Sequence, residues 1–193
     1  MQILLAVSRL IDAINARLGK WVSWLVVVVV LISAANATTR KLFDLSSNAW
    51  LEAQWIIFAV IYMLCSPWTL MSNEHVRIDI VNSMFSKTTR NVIDIVGHIV
   101  FLLPLTVVMI ITGWPFFKAS FAIREQSFNA GGLPQWPAKS LILIGFTLLF
   151  FQGISELIKR IAVMRGAIPD PYGSQSSAEA EAERLLADVQ PDR

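Results

Sequence analysis

Apolar residues fill this chain in four long stretches separated by short polar segments. Charge gaps mark them: 19 uncharged residues lie between Lys20 and Arg40, 21 between Glu52 and Glu74, 23 between Asp94 and Lys118, and 16 between Lys139 and Glu156. A helix rises about 1.5 Å per residue, so about 20 mostly apolar residues cross the ~30 Å hydrocarbon core of a bilayer. The first three gaps are of that length. The fourth reaches it when Lys139 snorkels, with its stem in the apolar layer and its ammonium at the interface. The pattern predicts spans near 19–38, 53–73, 95–117 and 137–157.

Ahead of the first span, Ile3, Val7, Leu10, Ile11, Ile14 and Leu18 fall at helical spacing and make one apolar face. Gln2, Arg9, Asp12, Asn15 and Arg17 occupy the other. Such a helix over 1–18 can lie flat in the membrane interface with its basic residues near anionic lipid, and Gly19 offers a break before the span. The competing reading is a simple extension of the first span. Ala35-Asn36-Ala37 looks like a signal-peptidase site, but 20 residues including Asp12 precede the apolar run, so an uncleaved anchor is expected. Residues 19–165 then form the four-helix membrane domain. After Gly166, Pro169-Asp170-Pro171-Tyr172-Gly173-Ser174 reads as a linker, and residues 166–193 as an acidic flexible cytoplasmic tail with a short helix capped by Ser176 and Glu179. The predicted class is an all-α integral membrane protein, with four transmembrane helices and an N-terminal amphipathic interfacial helix.

Composition agrees. Hydrophobic residues are 55% of the chain and charged residues 16%, against roughly 25% in soluble proteins, which excludes intrinsic disorder. The formal charge of +2 divides unevenly: the tail is acidic and the rest basic. The tryptophans lie near predicted span ends, where an indole joins apolar and polar layers. Nine Lys and Arg residues fall in the N-terminal segment, the loop after span two and the segment after span four; five fall in the two remaining loops. The positive-inside rule then places both termini in the cytoplasm.

Candidate chemistry is sparse. Between their flanking charges the spans hold no Asp, Glu, Lys or Arg, and His98 is their ionisable residue. A solute carrier usually keeps charges at mid-membrane, because a bare charge there is costly. Asn36, Gln54, Thr106, Thr112, Thr147 and Gln152 suit interhelical hydrogen bonds, and Pro104 and Pro67 suit kinks. The densest polar cluster is Asn73-Glu74-His75-Val76-Arg77-Ile78-Asp79-Ile80. Its spacing is not that of a zinc site, so a docking role is expected. Cys65, alone in the chain, excludes an internal disulfide. One cofactor reading is a membrane anchor or haem-binding redox subunit. Bis-histidine haem needs ligands on facing helices, however, and the two histidines, His75 and His98, lie outside and inside the bilayer. A small independent exporter or channel is a third reading. No catalytic, metal or cofactor-binding residue is assigned. The simplest role left is a helper subunit that widens the rigid body of a larger membrane protein.

The segments Asn48-Ala49-Trp50-Leu51-Glu52-Ala53-Gln54-Trp55, Asn73 to Ile80, Asp94 to Gly97, Leu103-Pro104, Gly132-Leu133-Pro134-Gln135-Trp136-Pro137-Ala138-Lys139 and Gly145…Gln152 come in an order and spacing that resembles the small (Q-type, DctQ-like) membrane subunit of TRAP transporters. The resemblance covers about residues 15–160. It implies a large multi-span membrane partner and a periplasmic substrate-binding protein, with sodium-gradient-driven uptake of organic acids or related anionic solutes. It also implies no cofactor in this chain, Na+ being expected in the large subunit. The small subunit would brace the scaffold and help dock the binding protein. Glu52 and Trp55 are then expected at the outer boundary, and Glu74, His75, Arg77 and Asp79 at the inner one, as contacts to subunits or lipid. The tail after Gly166 matches nothing in the family pattern.

Overall fold

The computed structural model describes residues 2–44, 47–72 and 87–169. Among them, six α-helices follow in order: α1 (Gln2–Ser23), α2 (Leu25–Phe43), α3 (Asn48–Met71), α4 (Lys87–Gly97), α5 (Leu103–Ala122) and α6 (Trp136–Met164). A π-helical turn over His98–Leu102 joins α4 to α5. Four helical stretches, Gln2–Phe43, Asn48–Met71, Thr88–Ala122 and Trp136–Met164, are long and apolar enough to cross a membrane. The all-α, four-span class read from the charge gaps is the class of the structure.

The disturbance expected at Pro104 takes the form of a widened turn just before it. Proline has no N–H to offer the carbonyl four residues back, and its ring crowds that carbonyl. The Leu103 N–H instead reaches five residues back to the His98 carbonyl, which shifts the ladder by one residue ahead of the proline. Pro67 lies inside α3 and is buried there.

Helix α6 is the hub. It packs against α1, α3, α4 and α5, while α2 lies along α3 and touches α1. Polarity is inverted relative to a water-soluble bundle. Buried side chains include Ser8, Asn15, Glu52, Thr106, Ser120, Gln152, Ser155 and Glu156, while Val30, Phe58, Phe101, Val108 and Ile111 face outward. Lipid tails are as apolar as leucine, so apolar side chains gain nothing by leaving them. Cohesion falls to close packing and hydrogen bonds.

Two features of α1 differ from the sequence-based expectation. The helix does not break at Gly19 but runs on to Ser23. The bend lies at Trp24, where N–H groups reach back three residues (Trp24 N to Trp21 O, 3.3 Å; Val27 N to Trp24 O, 3.1 Å). Gly19 is instead a contact point: a Cβ there would lie 2.6 Å from the Trp68 ring on α3. The polar face of α1 is divided. Asp12 and Asn15, with Ser8, turn toward α6, whereas Gln2, Arg9 and Arg17 are exposed, as are Ile3, Val7, Leu10 and Ile14.

The join is a polar network, in which Asn15 Oδ1 has no partner among the described residues. The Gln152 side-chain carbonyl accepts from Asn15 Nδ2 (2.7 Å), and its amide nitrogen donates to Asp12 Oδ1 (2.8 Å) and Glu156 Oε1 (3.0 Å). Ser155 donates to Asp12 Oδ1 (2.8 Å), and its hydroxyl lies 2.7 Å from that of Ser8. Lys159 bridges Asp12 Oδ2 (3.0 Å) and Glu156 Oε1 (2.6 Å). Ser8 meets Ser155 and Asn15 meets Gln152, so the two helices pass each other antiparallel.

Gln152 is fully buried, so Gln152→Leu would strand Asn15 and remove a donor from Asp12. We predict a loss of about 1–3 kcal/mol of stability, since the cost is that of leaving buried polar groups unpaired. Thermal unfolding of both proteins in one detergent measures it. Equal midpoints would mean that the network does not hold α1.

Candidate functional site

Chemistry-bearing side chains gather at the two ends of the bundle. At the end where α3 begins, α3 needs no acidic cap, yet Glu52 sits in its second turn and is only 4% exposed. Its carboxylate points into the loop of residues 123–135 between α5 and α6. It accepts hydrogen bonds from the Ser127 hydroxyl, from Asn129 Nδ2 (2.8 Å), from the Leu133 N–H (2.7 Å) and from Gln135 Nε2 (3.4 Å). One carboxylate thereby organises a whole loop, which suits an ion with about four acceptor positions and no donor.

The loop's own backbone closes around this centre. Ser127 N donates to Leu133 O (3.2 Å), Gln135 N to Glu125 O (2.9 Å) and Gly132 N to Asn129 O (3.0 Å). Asn48, at the start of α3, adds a bond from Nδ2 to Ala130 O (3.0 Å). Gly132 is required by proximity: a Cβ there would lie 2.7 Å from Glu52 Oε1 and 2.5 Å from Ser127 Cβ. At the tip, Phe128 is fully exposed.

A second ion pair locks the base of the loop. Lys139 on α6 donates to Glu125, and its ammonium lies 4.2 Å from the centre of the Phe116 ring. The Lys139 ammonium holds the Glu125 carboxyl below its ordinary value. Because this pKa is depressed in the folded protein, the bond stabilises the loop above the ordinary carboxylate range and is lost as pH falls through the lowered value.

At the opposite end, Arg160 on α6 is 6% exposed and ties α6 to α4. Its guanidinium meets Asp94 Oδ2 (2.9 Å) and donates to Asn91 Oδ1 (3.0 Å). His98 Nδ1 lies 2.6 Å from the Asp94 carbonyl oxygen, while its Nε2 is buried with no partner among the described residues. Among the described residues, no group of three or more His, Cys, Asp or Glu side chains is placed to hold a metal ion.

Of the six interface residues expected from the sequence, Glu74, His75, Arg77 and Asp79 lie outside the described residues. Trp55 is 65% exposed and open to lipid or a partner. Glu52 is buried, and its carboxylate is enclosed by the loop of its own chain. Sequence reasoning missed Ser127, Asn129 and Gln135 as its ligands, Asn91 with Arg160, and the matched stripes on α1 and α6. The stripes leave a legible signal: Ser8, Asp12, Asn15 and Gly19 repeat at helical spacing, as do Gln152, Ser155, Glu156 and Lys159.

Glu52→Ala is expected to free the loop, so that limited proteolysis cuts between residues 123 and 135 at least severalfold faster. Glu52→Gln, which keeps an acceptor but loses the charge, should fall between. A fluorophore near Phe128 should report a further loosening on acidification through the lowered Glu125 pKa, and that step should vanish in Lys139→Met. Identical proteolysis of all three proteins would remove Glu52 from its organising role.

Comparison with known proteins adds one finding. Residues 29–163, well over half of the chain, match the family model described as tripartite ATP-independent periplasmic transporters, DctQ component. No curated protein and no solved structure gives a match. The matched region contains the Glu52-centred loop, the π-helical turn and nearly all of α6. This protein belongs to the DctQ family, the small membrane components of TRAP transporters.

Proposed function

We propose that this chain is the stationary brace of a sodium-gradient-driven TRAP transporter in the bacterial inner membrane, with both termini in the cytoplasm. In this reading it packs against a large membrane subunit, which carries an organic acid or related anionic solute together with Na+. It also helps seat the periplasmic substrate-binding protein. The observation that supports the reading best is the state of the buried charges. Asp12, Glu156 and Lys159 bind one another, as do Asp94 and Arg160, near the ends of the helices. They serve as fasteners between helices. A carrier would need charges facing a polar path at mid-membrane.

The physical logic is that of a fixed support. A moving transport domain needs an immobile neighbour with a wide footprint in the bilayer. Four spans provide one, and α1, packed against α6 with its apolar face outward, widens it at the cytoplasmic headgroup layer. At the periplasmic end, the Glu52-braced loop holds Phe128 clear of the protein. A rigid exposed aromatic is a low-entropy anchor for a docking protein. Glu74, His75, Arg77 and Asp79 remain assigned to the inner subunit or lipid interface, and residues 166–193 to a solvated tail.

Co-expression and mild-detergent purification test this. The chain should bring down a larger multi-span protein, and vesicles holding this chain alone should take up no solute under a sodium gradient. Uptake by the unaccompanied chain would overturn the proposal. Arg77→Glu should lower the yield of the complex, and deletion of residues 166–193 should not. Phe128→Ala should leave assembly intact while weakening uptake that depends on the binding protein.

A further inference from the structure

The ends of α2 and α3 opposite the α1 network line an open cavity of about 540 Å³ between them. Ser33, Asn36, Arg40, Lys41 and Asp44 line it from the α2 side, and Gln54 from α3. Its charged lining comprises two cations and one carboxylate. Among the described residues, neither Arg40 nor Lys41 has a carboxylate within ion-pairing distance. Both are exposed, on the last turn of a helix whose C-terminal carbonyls they also complement.

Gln54 makes the lining directional. Ser33 donates to its side-chain carbonyl (2.9 Å), which turns the amide nitrogen the other way. That nitrogen is buried and has no acceptor among the described residues. A buried donor without an acceptor is costly, and a ligand rich in acceptors would satisfy it. Cations together with an unmatched amide donor select an anionic oxo group. Phosphate fits them best, because its several oxygens can meet a guanidinium, an ammonium and an amide together.

Position identifies the source of that phosphate. Trp50 and Trp55 flank Gln54 on the same end of α3, 47% and 65% exposed. Exposed indoles at a span end mark the headgroup layer. The cavity thus opens where lipid phosphates lie, and its volume is in the range that holds a headgroup and glycerol unit. We propose that the α2–α3 cavity is a phospholipid site, with Arg40 and Lys41 on the lipid phosphate and Gln54 donating to one of its oxygens. The lipid would fill the space beside α2, a helix whose contacts within the chain are otherwise to α3 and α1.

Native mass spectrometry of the full-length chain, alone and with its large subunit, tests the site with three probes: phosphatidylglycerol, diacylglycerol with the same acyl chains, and inorganic phosphate. Phosphatidylglycerol should be retained and diacylglycerol lost. The double variant Arg40→Gln/Lys41→Gln should retain about tenfold less phosphatidylglycerol, as should Gln54→Leu, since each removes donors to a charged acceptor. Lys20→Gln/Lys118→Gln, an equal charge change at other exposed positions, should bind as the native chain does. Equal retention by all variants would overturn the site, as would equal retention of diacylglycerol. Displacement of the lipid by millimolar inorganic phosphate would overturn the lipid source and leave a soluble anion as the ligand.

Discussion

The side-chain amide of Gln152 joins two parts of the chain that hydrophobicity alone would not join. It accepts a hydrogen bond from Asn15 and donates to Asp12 and Glu156, and around it Ser8, Ser155 and Lys159 complete a set with both charge signs present. In water, the apolar face of α1 would have sought the bundle. In lipid that face is already at home, and Ser8, Asp12 and Asn15 are the side chains with a reason to turn inward. The direction in which α1 faces, its antiparallel packing on α6, and the contact of Gly19 with Trp68 all follow from that exchange.

The same rule governs both ends of the molecule. Arg160 fastens α6 to α4 through Asp94 and Asn91, and Glu52 fastens α3 to the loop between α5 and α6. Each fastening uses one charged group with several partners. A structure assembled this way spends its buried charges on holding helices together. That is the property the proposed bracing role asks of it.

Much of this is legible in the sequence and part of it is not. Four spans follow from uncharged stretches, and Pro104 does disturb its helix. The likeness of the Asn48–Trp55 and Gly132–Lys139 segments to the family points to the right class. The hydrogen-bond partners of Glu52 are not readable, because Ser127, Asn129 and Leu133 lie 75 to 81 residues away. Asp12 and Asn15 in α1 look like part of a solvent face because the usual rule assigns polar positions to water. That rule fails where the surroundings are lipid.

Span count and class are one-dimensional questions. Hydrocarbon thickness sets a length, the helix supplies a fixed rise per residue, and a run of uncharged residues answers both. Which polar side chain meets which is a question in three dimensions. Ser8 and Ser155 are separated by 147 residues and their hydroxyls by 2.7 Å. Only the packing of α1 against α6 brings them together, and that packing depends on every partner in the network at once.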